Sequence, residues 1–343
     1  MTFSKKSISV ILPNFNGKAL LEEFIPSIIE ALQFSNLEYE FIVIDDHSTD
    51  NSVGFIQHQF PFIIVLENKI NRGFSYSCNR GIERATKDLI FLVNSDVKLS
   101  LNYFENQLNY FDTHDTFGVM GQIKNYYTSK TEDYARYPRF KGVKLKATKF
   151  YHSTTPTDAI YTTYLSGANA LICTQKLKLL KGFDEIYSPF YFEDFDLGLR
   201  AWKMGWKLYY EHQSICFHKV SATTNTINKS NFVNKTYYRN SFILHAIHLK
   251  GFRKLAWYSQ LVTTTLLWHL IKGEFWILYS LIDFFKHKKQ IQKSIDQLSK
   301  LQLELNRSIE VDTILTIFKN SLHNKSIKWV RSEERREGKE CLR

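Results

Sequence analysis

Phe41-Ile-Val-Ile-Asp-Asp-His-Ser-Thr-Asp50 runs from an apolar stretch straight into two acids. Four apolar residues without alternation suit a strand covered on both faces, as in a parallel sheet. The same pattern returns at Leu89-Ile-Phe-Leu-Val93, which ends in Asn94-Ser95-Asp96. A third acidic group, Glu193-Asp194 with Asp196, follows the aromatic run Phe190-Tyr191-Phe192. In an open α/β sheet, ligands bind outside the carboxyl ends of the strands. Carboxylates gathered there repel one another unless a cation or a donor-rich ligand joins them. The expected occupant is a metal ion with a phosphorylated, hydroxyl-rich substrate.

Outward from these clusters, strands and helices alternate. Ile8–Leu12 reads as the first strand, and Leu20, Leu21, Phe24, Ile25, Ile28, Ile29 and Leu32 then recur at helical spacing. Ser48 to Asn51 offers caps for a short helix, Phe62–Leu66 reads as a strand, and Ser75–Ala85 as a helix. Leu101–Phe111 reads as helical, Phe117–Ile123 as a fifth strand, Asp194–Met204 as a helix and Trp206–Tyr210 as a strand with His218 beyond it. This alternation predicts an α/β fold with a doubly wound, mostly parallel sheet. Residues 125 to 164 break the rhythm and read as an inserted hairpin or lid.

The chain has 343 residues, 44% of them hydrophobic, and a formal net charge of +11. Such a balance points to a polyanionic partner: phosphorylated substrates, an anionic membrane face or nucleic acid. No nucleic-acid-binding signature is present, so nucleic acid is set aside. Four scattered cysteines form no CxxC pair, which argues against a disulfide framework and a thiolate zinc site. The N-terminal apolar run is too short for a signal peptide and is stopped by Pro13.

Several blocks together resemble the family 2 glycosyltransferases, and the bacterial rhamnosyltransferase-like branch in particular. They are Pro13-Asn14-Phe15-Asn-Gly17, Val43 to Ser52, Asn71-Arg72-Gly73-Phe74, Asn79-Arg-Gly-Ile82, Asn94-Ser95-Asp96-Val97, Gly182-Phe-Asp-Glu185 and Phe192 to Leu197. The resemblance covers roughly residues 7 to 220 and implies a GT-A-like domain. It implies that Asp46 binds the donor's nucleobase with Asp45 supporting it, and that Pro13, Asn14, Phe15, Arg72, Gly73, Ser95 and Gly167 line the donor pocket. Asp96 is implied to hold Mn2+ or Mg2+ on the diphosphate, with Asn94 and His218 as further ligands. Asn94 stands where the family often carries an acid, and an amide oxygen is the weaker ligand. Asp194 is implied to deprotonate the acceptor hydroxyl, with Glu193 the alternative base; the helix dipole is expected to keep that carboxylate ionised. Asp196 is read as supporting the helix start, with Arg200 one turn on to pair with it.

The implied function is inverting transfer from a nucleotide-diphosphate sugar to a saccharide or lipid-linked acceptor, in bacterial cell-surface polysaccharide synthesis. Two rivals are a catalytically inactive nucleotide-sugar-binding relative and another nucleotide-using α/β enzyme. A dehydrogenase would carry GxGxxG after the first strand, where this chain has Pro13 to Gly17. Lys141, Lys144, Lys146 and Lys149 read either as a solvated basic face or as contacts to acceptor phosphates.

The expected organisation is a GT-A-like domain over 1–225, a helical, aromatic-rich region over 226–330 and a non-native tail over 331–343 that resembles a translated sequencing adapter. Leu255–Phe285 is aromatic and aliphatic but is interrupted by Lys272-Gly273-Glu274, so neither half spans a bilayer. With Lys286, Lys288 and Lys289 following, it suits a helix lying on the inner face of the cytoplasmic membrane. A helical cap packed on the main domain explains the same composition.

Overall fold

A computed structural model describes residues 6–155, 157–219 and 230–330. The 225/226 boundary and the tail 331–343 lie outside the described residues. The elements begin with β1 (Ser7–Asn14), α1 (Lys18–Phe34), β2 (Glu38–Asp45), α2 (Ser52–Gln59), β3 (Ile64–Glu67), α3 (Phe74–Arg84), β4 (Leu89–Val93), β5 (Val97–Leu99), α4 (Glu105–Leu108) and β6 (Thr116–Asn125). There follow β7 (Ala135–Lys141), β8 (Lys144–Ser153), β9 (Ile160–Tyr161), β10 (Asn169–Cys173), α5 (Thr174–Leu179), α6 (Glu193–Lys203) and β11 (Lys207–His218). The remainder is helical, apart from β12 (Ile327–Trp329).

The main sheet has the order β3-β2-β1-β4-β10-β6-β11-β5, with β9 paired to β11. β1, β2, β3, β4, β6 and β11 run one way, while β10, β5 and β9 run the other. The doubly wound, mostly parallel reading therefore holds, with one reversed strand inside it. Register places the ends of β1, β2 and β4 together: Asn14 lies opposite Asp45, and Val93 lies opposite Asn169 at the start of β10. The reversed strand thus enters at the rim where its neighbours leave.

Apolar residues seal both faces. Leu21, Ile25 and Ile28 of α1 are fully buried with Val10, Phe41 and Val43 on one side. Gly81 lets α3 lie against the other face: a Cβ there would sit 2.6 Å from Ile11 and 2.8 Å from Ile44. Burying each such aliphatic side chain stabilises the fold by about 1.5–3 kcal/mol.

Three expectations change. Leu101–Phe111 holds only α4 and a 3-10 turn, Asn109–Asp112, because consecutive Tyr103 and Phe104 both bury against Phe91. A surface helix presents one face, not two neighbours 100° apart. β5 went unread; it is three residues long and pairs antiparallel with β11. β11 runs on to His218, past a register break between Glu211 and Ile215 that interrupts its apolar pattern. The insertion is the hairpin β7–β8, closed by β12 into a second sheet.

The C-terminal helices share a core with the main body. Phe242, Ile243, Trp257, Ile277 and Phe284 cluster with Tyr187, Phe195 and Leu199 around α6, and with Leu145 and Ala147 of β8. Two of the insertion's lysines turn the same way: Lys144 reaches Thr265 Oγ1, and Lys149 sits 3.5 Å over the Trp329 ring.

Candidate active site

The first acidic cluster is tied up in its own chain. Asp45 accepts from Asn14 Nδ2 at 2.9 Å and from the Ser48 amide at 2.8 Å. Asp46 accepts from Asn68 Nδ2 at 2.7 Å, the Arg72 amide at 2.8 Å and the Gly73 amide at 2.7 Å. Both residues are buried. Their carboxylates clamp the β1–α1 loop and the Arg72-Gly73 turn, and Gly73 needs its backbone freedom at φ +84°. Asn68 is further held by Ser77 and Arg80. Asp50 accepts from the Lys18 amide, so it serves the first turn of α1 as well as Ser52. Phe15 and Arg72 are exposed above this floor, with the Arg72 guanidinium 4.1 Å over the Tyr76 ring. Pro13, half-buried, precedes Asn14. Ser95 Oγ lies beside Gly17, 3.5 Å from where a Cβ would stand.

The second cluster joins β4's end to β11's end. His218 Nε2 is 3.3 Å from Asp96 Oδ2, and His218 Nδ1 is 3.2 Å from Glu132 Oε2. Burial alone would push the imidazole pKa down; the hydrogen bonds to Asp96 and Glu132 win and raise it to about 10. Asp96 Oδ1 is covered and has no hydrogen-bond partner among the described residues. An unspent carboxylate oxygen beside an imidazole fixed by a second carboxylate suits an incoming cation. Asn94 donates its amide to Ala168 O at 3.4 Å and leads into this pair. Among the described residues no three His, Cys, Asp or Glu side chains group as a complete metal cage. A divalent ion here would draw on Asp96 and His218 and take its remaining oxygens from substrate phosphates and water.

The third cluster opens α6. Gly167 N–H donates to Asp194 Oδ2 at 3.3 Å, and a Cβ on Gly167 would stand 3.2 Å from Asp194 Oδ1 and 2.7 Å from the Phe74 ring. The glycine is thus required by the carboxylate and the ring that fill its side-chain space. Glu193 and Asp194 are half-buried, and Glu193 Oε2 is covered without a partner among the described residues. Here burial opposes the helix dipole: it overturns the expected ionisation at pH 7 for Glu193 but not for Asp194. Burial raises both carboxyls, Glu193 being pushed further by the Asp194 charge, while the Gly167 amide and Arg136 hold Asp194 back only in part. A helix N-terminus contributes about 0.3–1 kcal/mol, less than the desolvation of two adjacent acids.

Sequence reading missed Arg136, on β7. It is bonded to Asp133 at 2.6 Å, lies 4.1 Å over the Tyr164 ring and stands close enough to Asp194 to influence it. It also missed Asn240, fully buried, whose Nδ2 donates to Tyr187 O, Phe190 O and Tyr191 O at 2.6–2.9 Å. These carbonyls belong to the loop before α6, where Tyr191 and Phe192 hold φ +75° and +77°. A non-glycine pair in that region is strained and needs such a clamp. Asp196 does pair with Arg200, at 2.7 Å, but it also receives His248 Nε2 at 2.9 Å from the C-terminal helices. Burial opposes its ionisation; Arg200 and His248 outweigh burial and hold it at about 2. Neither Arg136 nor Asn240 had a motif around it. Arg136 lies in the stretch readable only as an insertion, and Asn240 in one readable only as helical and aromatic-rich.

A cavity of about 690 Å³ lies behind α6, between Leu180–Glu185 and Lys293–Glu304. None of Asp96, His218 or Asp194 lines it.

Three acidic clusters at one rim of such a sheet define a GT-A-type glycosyltransferase fold. Residues 9–179 match the family described as Glycosyl transferase family 2, and the chain belongs to it. The minor teichoic acid biosynthesis protein GgaB of Bacillus subtilis is 36% identical over 110 residues, 31% of this chain and 12% of that protein. The poly(ribitol-phosphate) beta-N-acetylglucosaminyltransferase TarP of Staphylococcus aureus is 30% identical over 120 residues, 34% of this chain and 36% of TarP. The matches thus span well under half the length of these two relatives. Among solved structures, S. aureus TarS 1-349 has a TM-score of 0.54 at 14% identity, covering 92% of this chain and 90% of that one. GalNAc-T7 with UDP, GalNAc and Mn2+ has a TM-score of 0.59 at 14% identity, covering 94% and 57%.

Proposed function

We propose that the chain is an inverting glycosyltransferase that moves a sugar from a nucleotide-diphosphate donor to a hydroxyl of a saccharide or lipid-linked acceptor, in cell-surface polysaccharide assembly. The observation that carries this reading is the Glu193–Asp194 pair beside Gly167, on the rim that also bears Asp96 and His218. Asp194 is the base. Its raised pKa suits proton abstraction near neutrality, and the residue is open enough to meet a substrate. The floor built on Asp45 and Asp46 receives the nucleotide, with Arg72 and Phe15 above it. Asp96 and His218, the imidazole giving up its Nε2 proton as the cation enters, would hold Mn2+ or Mg2+, which would neutralise charge on the departing nucleoside diphosphate. Attack from the face opposite the leaving group inverts the anomeric centre. GalNAc-T7 is solved with UDP, GalNAc and Mn2+, which supports the cofactor reading by analogy of fold. The catalytic domain is taken as 1–225 with 226–330 as its helical appendage. The inner face of the cytoplasmic membrane is the working place, although no described helix is long and apolar enough to cross a membrane. A rhamnosyltransferase-like placing within the family belongs to the same proposal.

A donor screen tests it. Purified protein is incubated with UDP-, GDP- and dTDP-sugars and with Mn2+, Mg2+ or EDTA; nucleoside diphosphate release and thermal stabilisation are read together. Metal-dependent release or stabilisation by one donor, lost in Asp96→Ala, is expected. A folded sample that answers to no donor would leave the inactive-relative reading.

A further inference from the structure

The helix Trp276–Lys286 is apolar on both sides. Ile277 and Phe284 bury against the C-terminal core, with Ser280 between them. On the other side Phe275, just before the helix, and Leu278, Tyr279, Ile282 and Phe285 within it are 37–62% exposed. Their spacing of three and four residues makes one continuous outer stripe. A helix of this kind is normally buried all round, so among the described residues the second face lacks its cover.

The preceding helical segment carries a matching stripe. Phe252 and Leu255 lie on the helix Gly251–Gln260, and Trp268 and Ile271 on the helix Leu267–Ile271; all four are 56–81% exposed. A π-helical turn, Leu261–Leu266, joins the two. Its wider winding lets exposed Leu267 follow exposed Val262 at a five-residue step. Gly273, at φ +71°, turns the chain between the segments. The result is a two-segment apolar face far beyond the scattered apolar residues of an ordinary surface.

Charge around this face favours one occupant. Lys254, Lys272, Lys286, Lys288 and Lys289 carry no ion pair among the described residues. The two acids of the segment, Glu274 and Asp283, are engaged by His269 and Arg239. Two copies of this chain meeting face to face would set lysine against lysine. An anionic lipid surface instead accepts the lysines in its headgroups and the aromatic stripe at the acyl boundary.

We propose that the outer face of residues 252–289 docks in the plane of an anionic lipid bilayer. It rests on the glycosyltransferase reading only for the choice of leaflet; the lipid contact stands on the stripe and its lysines. The face is also tied to the site: Asp283 pairs with Arg239, whose guanidinium reaches Ser188 O in the loop before α6.

The full chain is sedimented with vesicles of phosphatidylcholine, with and without phosphatidylglycerol, at low and high salt. Binding to the anionic vesicles is expected to exceed binding to neutral ones at least about tenfold and to weaken with salt. Reversing Lys286, Lys288 and Lys289 to Glu is expected to cut partition about 100-fold with the melting temperature unchanged. Phe275→Ser with Ile282→Ser and Phe285→Ser is expected to abolish it. The charge variant, which alters exposed residues only, guards against a misfolded apolar variant. Asp194→Asn should bind vesicles as well as the parent chain, so loss of transfer and loss of docking are separable. Failure of the folded chain to bind phosphatidylglycerol vesicles overturns the proposal. So does binding that survives the charge variant, or a dimer in gel filtration that Phe285→Ser dissolves.

Discussion

Asp45 and Asp46 are buried at the rim and Glu193 and Asp194 are half-buried there, yet the two pairs are held in opposite ways. The first pair accepts five hydrogen bonds from its own chain and builds a loop floor. The second is desolvated, repels itself and has one long amide contact, at 3.3 Å to Gly167. Oxygens spent on the chain's own donors make an acid architectural; burial without such donors leaves it ready to take a proton. Adjacent acids at a strand or helix end therefore carry no single meaning.

The widest gap between the pairs should appear in turnover. Asp194→Asn is expected to lower transfer by about 10²- to 10⁴-fold while donor binding, measured by thermal shift, stays intact. If donor binding fell equally, the contrast between floor and base would collapse. Asp96→Ala is expected to remove the response to Mn2+ or Mg2+ altogether, read as metal titration of nucleoside diphosphate release. Next comes pH. A base must be deprotonated, so kcat/KM should climb with pH through a limb displaced above the ordinary carboxylate range, as burial raises Asp194. A limb at the usual carboxylate position would mean the site is wetter than its covering suggests.

Asp46→Ala attacks the architectural pair. It leaves Asn68 and the Arg72 and Gly73 amides without their acceptor, at about 1–3 kcal/mol. The melting temperature should fall by several degrees and donor binding with it. Glu193→Gln should do the reverse and by the least. An acid whose folded pKa is raised destabilises the fold as pH rises past its unfolded value, 4.5 for this residue. The amide is therefore expected to stabilise by about 1–3 °C at pH 8 and by nothing at pH 4, measured by calorimetry.

Much of this was legible because it is local. The runs Phe41–Ile44 and Leu89–Val93 are long, apolar and end in acids, and the structure buries both as central strands. Glu193 and Asp194 were read as opening a helix, as α6 does, and the Asp196–Arg200 pair was read from its spacing. What escaped was set by tertiary contact. Asn240 holds a loop some fifty residues away in sequence, and Arg136 lies on a strand whose alternation is broken by a register shift between Tyr137 and Arg139. The sign of the Glu193 shift also escaped, since a dipole can be read from a helix start but covering side chains cannot.

One pairing reaches across time as well as space. β12 lies against β8, and Ser326 accepts from Ser153, 173 residues earlier. At ribosomal speeds of about 5–20 residues per second, the hairpin waits roughly 10–35 s for the strand that completes its sheet. Arg136 sits on the opposite strand of that hairpin, at the position paired with Phe150. The loops clamped by Asp45 and Asp46 are therefore translated well before the strand that completes the sheet carrying Arg136. A chain halted before β12 would hold those loops without the strand that completes its second sheet.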